Sequence, residues 1–319
     1  MTYKNINFKE KLQIAINNRE EFYKDDSTTA FRIFNGSGDG IDGLTIDYFD
    51  GFYLFTWFTT KLYSFKDNFI KDFQQIVKFK GIYQKKKFNK NETDPDDAED
   101  FICGEKASQI IIVKENNMNF AIELDDGAMV GVFLDQRDVR KTIRDKYSKG
   151  KTMLNTFSYT GAFSVAAALG GASKTTSVDL AKRSLPKTKK NFEINNIDIS
   201  KQSIIVEDVF KYFKYAVRKE LLFDLVVLDP PSFARTKKST FSVAKDYVKL
   251  LKEAILITNS GGVIVASTNY ANLTLREFKE FIDKAFKELN IRYEIEHIFG
   301  VPKDFKGSNY LKVVFIRKI

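Results

Sequence analysis

The sequence predicts an α/β protein: a doubly wound sheet of seven strands, the last of them antiparallel, preceded by a small N-terminal α+β domain. Three observations predict it. From about residue 134 short runs apolar on both faces alternate with helical stretches, the pattern of a parallel sheet covered on both sides. The final two apolar runs are joined by a loop and not a helix, so the last strand is expected to insert antiparallel. The first 115 residues pattern instead as hairpins around a helix.

In chain order, residues 8–24 mix apolar and charged positions at helical spacing and read as a short leading helix. A loop with Gly36, Gly38, Gly40 and Gly43 follows. Leu44–Phe49 and Phe52–Phe58 flank Asp50-Gly51, which reads as a hairpin with a tight primed turn. The aromatics Tyr48, Phe49, Phe52, Tyr53, Phe55, Trp57 and Phe58 could stack on bases, although such a cluster more often fills a sheet core. Residues 61–79 predict a helix and 81–87 a strand, and the acidic stretch Asn89–Asp100 a solvated loop. Ile110–Glu115 and Met118–Leu124, joined at Asn116-Asn117, predict a second hairpin.

The strands of the larger domain are expected at Thr152–Phe157, Thr175–Val178, Ser203–Val206, Asp224–Leu228, Val263–Ser267, Tyr293–Phe299 and Leu311–Ile316. Helices are expected at about 161–169, 182–195, 208–219, 242–258 and 273–289. Right-handed crossovers then produce the doubly wound order. The division predicted is 1–115 for the small domain, with a possible role in positioning RNA or substrate, and 116–319 for the large one.

Composition narrows the chemistry. The 319 residues and 36.7 kDa suit two domains, and 43% hydrophobic residues with 14% aromatics exclude a mainly disordered chain. One cysteine excludes a disulfide framework or a cysteine-ligated metal cluster, and one histidine leaves no basis for histidine triads, so no metal is expected. The N-terminus has no apolar signal core and no run approaches the ~18 apolar residues of a membrane span, which predicts a soluble, cytoplasmic protein with no membrane partner. The net charge of +9 is unevenly spread. Residues 1–115 carry 17 basic and 19 acidic groups, residues 116–319 carry 34 and 23. A polyanion-facing surface on the second part is one reading, compositional bias the other.

In an open parallel sheet the ligand lies beyond the carboxyl ends of the strands. The loop there after the first strand is Phe157-Ser158-Tyr159-Thr160-Gly161, and the second strand ends in Val178-Asp179. An acid at that place suits a bidentate grip on a ribose diol. A dinucleotide also needs a glycine-rich turn so that its pyrophosphate can touch backbone amides, and this loop has a single glycine. The pocket therefore suits a nucleoside without a pyrophosphate, and S-adenosylmethionine fits. Asp208, after the third strand, could accept from the adenine amino group. Asp229-Pro230-Pro231-Ser232-Phe233, after the fourth, would hold rigid carbonyls and an aromatic ring beside the transferable methyl.

Residues from about 118 to the end resemble the class I S-adenosylmethionine-dependent methyltransferases, whose sheet is Rossmann-like. More narrowly they resemble the rRNA large subunit methyltransferase I family and the methyltransferase K/L catalytic domain. The matching residues are Phe133-Leu134-Asp135-Gln136-Arg137, Asn155-Thr156-Phe157-Ser158-Tyr159-Thr160-Gly161, Ser177-Val178-Asp179-Leu180, Glu207-Asp208-Val209-Phe210 and Asp229-Pro230-Pro231-Ser232-Phe233. Asp39–Asp47 is similar to the family's middle domain, so the likeness covers about nine-tenths of the chain. The resemblance implies cofactor contacts from Gln136, Arg137, the Asn155–Gly161 loop (Asn155, Phe157, Ser158, Tyr159, Gly161), Asp179, Leu180, Asp208, Val209, Phe210 and Asp229. For catalysis, Asp229 or the Pro230 carbonyl is expected to accept a hydrogen bond from the substrate amine and Phe233 to stack on the base, with S-adenosyl-L-homocysteine as product. The implied partner is RNA, most simply rRNA.

Two departures shape the expectation. Methyltransferase I carries an N-terminal RNA-binding domain of the pseudouridine-synthase and archaeosine-transglycosylase type. Only about 27 residues precede the matching region here, so RNA is expected to dock on the remaining surfaces, in line with the basic excess. The family's cytosine-C5 enzymes place a cysteine just after the fifth strand, where this chain reads Ala266-Ser267-Thr268-Asn269-Tyr270, and the one thiol, Cys103, lies in the small domain. Direct transfer to a base nitrogen is the expected chemistry. A small-molecule or protein methyltransferase, and a non-catalytic RNA-binding module with a vestigial pocket, are the alternatives. Arg235, Lys237 and Lys238 at the rim are candidates for phosphate contacts, with a solvated loop as the other reading. The five basic residues of Lys182–Lys190 read as a solvated helix face and His297 as a structural histidine.

Overall fold

The computed structural model describes residues 7–88, 100–127, 129–235 and 240–319. The chain forms two compact units, Met1–Leu134 with Pro302–Ser308, and Asp135–Val301 with Asn309–Ile319. No helix among the described residues is long and apolar enough to cross a membrane.

The first unit opens with α1 (Phe8–Asn17) and α2 (Glu20–Tyr23), where a single helix is expected. The break falls at Arg19, which turns inward. Its guanidinium donates to both Asp39 carboxylate oxygens at 3.0 and 2.7 Å and to the carbonyls of Ala15 and Asp304. A five-stranded sheet follows: β1 (Ala30–Asn35), β2 (Leu44–Phe49), β3 (Phe52–Trp57), β4 (Gly81–Lys86) and β5 (Phe101–Gly104), adjacent in that order. Between β3 and β4 the chain runs through α3 (Thr60–Tyr63) and α4 (Lys66–Ile76), again two helices in place of one. That crossover makes β3 and β4 parallel, while the other pairs are antiparallel. Asp50 and Gly51 both have positive φ (48° and 94°), as the predicted primed turn requires. Phe55 and Trp57 are fully buried among Phe31, Phe34 and Phe73, and Phe49 is buried as well, so these aromatics fill the interior; Phe58 alone of the seven is exposed.

The hairpin β6 (Ile111–Glu115) and β7 (Met118–Ile122) turns at Asn116-Asn117, both left-handed. A division at 115/116 would cut this hairpin through its turn. The units instead divide after Leu134, and the first also recruits Pro302–Ser308. Asp304 secures that segment: it is fully buried and accepts the Arg32 backbone N–H at 2.9 Å. The acidic segment 89–99 lies outside the described residues.

In the second unit α5 (Arg137–Thr142) precedes a seven-stranded sheet whose elements alternate as predicted. They run β8 (Thr152–Thr156), α6 (Ala162–Leu169), β9 (Lys174–Asp179), α7 (Ser184–Glu193), β10 (Gln202–Val206), α8 (Val209–Arg218) and β11 (Phe223–Leu228). A short ribbon, β12 (Phe233–Arg235) with β13 (Thr240–Ser242), precedes α9 (Val243–Leu256). Then come β14 (Thr258–Thr268), α10 (Leu275–Glu288), β15 (Tyr293–Phe299) and β16 (Lys312–Lys318). The sheet order is β10-β9-β8-β11-β14-β16-β15, parallel through β14, with β16 antiparallel between β14 and β15. Val226, Leu228, Ile264, Val314 and Ile316 from the sheet pack with Phe213, Leu250, Phe278 and Phe286 from the helices. Parallel pairing brings Thr156, Asp179, Val206, Leu228 and Thr268 to one edge.

The buried Arg19–Asp39 pair supplies a test of this reading. Asp39→Ala leaves a buried guanidinium without its counter-charge, and the unfolding free energy should fall by about 3–5 kcal/mol in urea titration. An unchanged midpoint would show that the carbonyl contacts suffice.

Candidate active site

The loop after β8 is the most constrained backbone at this edge. Phe157, Tyr159 and Gly161 adopt positive φ of 53°, 49° and 73°, and for the two non-glycine residues that conformation costs about 1–2 kcal/mol each. Hydrogen bonds hold it. The Ser158 N–H donates to the Val178 carbonyl at 3.1 Å and the Gly161 N–H to the Ser158 carbonyl at 2.7 Å. Asp179 contributes most: one carboxylate oxygen accepts the Tyr159 N–H and the other the Ala181 N–H, both at 2.8 Å. Gly161 then starts α6 so close to α7 that a Cβ would stand 2.4 Å from Thr188 Cγ2.

Asn155 and Val209 lie beneath this edge and not on it. Asn155 is fully buried; its Nδ2 donates to Ser164 Oγ at 3.1 Å, and Ser164 pairs with Ser177. Val209 belongs to the apolar core. Asp208 caps α8, accepting the Lys211 N–H at 3.1 Å through one carboxylate oxygen. Leu180, by contrast, is exposed, and Phe157 and Phe210 converge on Phe241 with ring centroids 6.3 and 6.0 Å away.

The second focus is Asp229 at the end of β11. Gln136, itself buried, donates from Nε2 to Asp229 at 3.2 Å and to Ser267 Oγ at 2.9 Å. Tyr247 anchors the same point by donating to the Ser267 carbonyl at 2.9 Å. Burial pushes the Asp229 carboxyl up to about 6 and the charge of Asp135 adds to this, while hydrogen bonds from Ser267 and Gln136 and the charge of Arg140 pull the other way. Asp135 is fixed by the Tyr310 hydroxyl at 2.8 Å. Arg137 is buried beside Gln136, its Nε 4.0 Å from the Asp138 carboxylate. Pro230 is buried, Ser232 donates to Asn269 Oδ1 at 2.6 Å, and Phe233 stands 62% exposed.

Sequence reasoning missed Ser267 and Tyr247. The signal for Ser267 was a hydroxyl at the end of the apolar run Val263–Ala266, while nothing local marks Tyr247. Of the rim residues, the backbone of Arg235 belongs to β12, and Lys237 and Lys238 lie outside the described residues. His297 packs among Tyr147, Phe299 and Phe315, a structural setting. No group of three potential metal ligands occurs among the described residues.

Three polar atoms at or just beneath this edge, Gln136 Oε1, Asn155 Oδ1 and Ser158 Oγ, are buried without a hydrogen-bond partner. Each such group costs about 1–3 kcal/mol, and clustering of that kind suits a site completed by a polar ligand. The family model described as S-adenosylmethionine-dependent methyltransferase matches residues 31–302. The chain belongs to that family. It is 54% identical over 318 residues to the Bacillus subtilis (strain 168) protein named "Putative ribosomal RNA large subunit methyltransferase YwbD", covering 98% of this chain and 80% of that one. It is 31% identical over 261 residues to the ribosomal RNA large subunit methyltransferase I of Yersinia pseudotuberculosis, covering 81% of this chain but only 65% of the relative. The crystal structure of SMU.776 complexed with S-adenosylhomocysteine superposes with a TM-score of 0.91 at 41% identity, over 98% of this chain and 81% of that one.

The methyltransferase uses S-adenosylmethionine as methyl donor, and its fold superposes on that of the SMU.776 structure. The tight turn into α6 generates a prediction. Gly161→Ala combines left-handed strain with the Thr188 contact and should lower the unfolding free energy by about 1–3 kcal/mol. Equal denaturation midpoints for variant and parent would mean that α7 yields freely.

Proposed function

We propose that this methyltransferase methylates a base nitrogen of RNA, most simply rRNA in the cytoplasm. The observation that carries the reading is the Asp229–Phe233 turn: a carboxylate steered by two side-chain donors, a rigid proline pair and a projecting aromatic ring. The names of the two relatives and the basic excess after residue 115 support RNA as the substrate class.

When bound, the cofactor supplies a methyl group on a sulfonium centre, an electrophile that a nitrogen lone pair attacks without an enzyme-bound intermediate. Asp179 suits the ribose diol, because each oxygen keeps a lone pair after accepting one backbone N–H. Leu180 and Phe210 suit the flanks of the adenine, with the second oxygen of Asp208 toward its amino group. Phe157, Ser158, Tyr159 and Gly161 present the loop backbone, while Asn155 and Val209 brace it from below and Arg137 stands behind Gln136.

On the substrate side, Phe233 stacks on an unpaired base and the Pro230 carbonyl accepts from its amine. Asp229, titrating near neutrality, takes the proton that the nitrogen releases as it becomes methylated. A covalent thiol adduct is not part of this reading, since the β14 end carries no cysteine; the one thiol, Cys103, lies on β5 with its sulfur accepting from Gln74 Nε2 at 3.1 Å.

Nucleoside mass spectrometry of rRNA from a strain lacking the gene should reveal one missing N-methylated nucleoside. An unchanged nucleoside profile, or loss of 5-methylcytidine, would refute the assignment. Asp179→Ala should weaken S-adenosylhomocysteine binding at least tenfold in calorimetry, and unaltered affinity would remove the ribose role. The Asp229 shift predicts opposite pH trends for activity and stability. Ionised Asp229 is needed, so kcat/KM should rise through an apparent pKa of about 6. Because the folded-state pKa lies above the unfolded one, stability should fall as pH rises from about 4 to about 6, by up to roughly 3 kcal/mol. Asp229→Asn should abolish both trends.

A further inference from the structure

We infer that the first unit carries a pocket for a single unstacked, amine-bearing nucleotide of the RNA, an inference that rests on the RNA reading above. A cavity of about 310 Å³ lies between α4 and the β4–β5 edge of the sheet. That volume is at the lower end of the range for small-molecule sites. Ile70, Phe101 and Ile102 line it with apolar surface, which suits a flat ring.

The decisive residue is Gln84. Alternation along β4 puts it on the same face as Ile82, which is fully buried in the apolar core, so the pattern asks for an apolar side chain two residues on. Instead a glutamine lines the cavity, 4% exposed, and its Oε1 is buried with no hydrogen-bond partner. An acceptor left unmade there costs stability that a leucine would not, and a turn of the Gln84 side chain toward the cavity would offer it to an entering N–H donor. The exocyclic amine of adenine, cytosine or guanine is such a donor. Uracil has no exocyclic amine, and its one base-edge donor, N3–H, lies between two carbonyls that the Gln84 oxygen would repel.

The mouth suits a phosphate. Lys71 is exposed and half-buried Lys66 lines the cavity beside it, its Nζ 3.0 Å from the Tyr63 hydroxyl. Among the described lining residues Asp67 is the one acid beside Lys66 and Lys71. An apolar slot with a polar floor and a cationic mouth matches how proteins hold splayed-out bases of single-stranded RNA.

The test uses the full chain and fluorescently labelled hexaribonucleotides, A6 and U6, in anisotropy titrations at low salt, with AMP as competitor and S-adenosylhomocysteine calorimetry as the control for folding. A6 should bind several-fold tighter than U6. Gln84→Leu should weaken A6 about tenfold, spare U6, and hold or raise the melting temperature. Lys71→Glu, at an exposed helix position, should weaken both oligonucleotides about tenfold. Neither variant should alter S-adenosylhomocysteine binding. Parental A6 affinity in both variants would overturn the pocket and leave the RNA reading intact. AMP binding as tightly as A6 would assign the cavity to a free nucleotide and overturn the RNA inference. Failure of the parent chain to bind either oligonucleotide would sink the pocket and the RNA reading together.

Discussion

The Asp179 carboxylate accepts one backbone N–H from the loop after β8 and another from the loop after β9, and the path of both loops at the sheet edge follows from that double acceptance. Two adjacent parallel strands end about 4.8 Å apart, and both chains must leave the sheet in the same direction. The β8 exit does so by turning left-handed at Phe157, Tyr159 and Gly161. Without a fixed acceptor that path would relax, because the two bulky residues gain energy by leaving it. The clamp also sets where α6 begins. Gly161 lies against Thr188 and Asn191 Nδ2 reaches the Thr160 carbonyl at 2.8 Å, so α7 is registered to the same loop.

The sheet edge thus carries two acids of different kinds. Asp179 is held by backbone amides, which cannot move without unravelling a strand end. Asp229 is held by side chains, Gln136 and Ser267, which can turn. A group that must exchange a proton benefits from the second arrangement: its partners adjust to either protonation state, and burial keeps the two states close in energy near neutral pH. A group that must orient a sugar benefits from the first. The division of labour proposed here follows from what each carboxylate is bonded to.

The alternation of strands and helices after residue 134 was legible because doubly buried strands leave short apolar runs that resemble little else. Both hairpins were legible because Asp50-Gly51 and Asn116-Asn117 tolerate the left-handed conformations that primed turns demand. What escaped had tertiary causes. β1 was not foreseen, since Ala30–Asn35 abuts the polar glycine loop and its partner strand supplies the evidence for it. The break at Arg19 depends on Asp39 and on the carbonyl of Asp304, 285 residues away. Recruitment of Pro302–Ser308 into the first unit rests on that same residue and on Asn35, whose Nδ2 donates to the Lys306 carbonyl at 2.8 Å. At the sheet edge, motif position named candidate loops, but it could not say which way a side chain faces, so Asn155 and Val209 lie under that edge.

The antiparallel last strand has a consequence for chemistry beyond topology. Inserting β16 between β14 and β15 sets Lys312 opposite Thr268, at the edge where the parallel strands end. There the lysine is buried and donates to the carbonyls of Tyr270 and Tyr310, at 3.2 and 3.1 Å. Burial pulls its pKa below the usual lysine range, with the charge of Glu277 opposing that pull. The ammonium thereby braces the segment that follows β14, and that segment carries Asn269, the acceptor for Ser232. Ser232 in turn sits between the proline pair and Phe233. A wholly parallel sheet would bring β16 to this edge by its other end, with Lys318 where Lys312 now stands. The turn that presents Phe233 is therefore steadied by the one strand that runs against the rest.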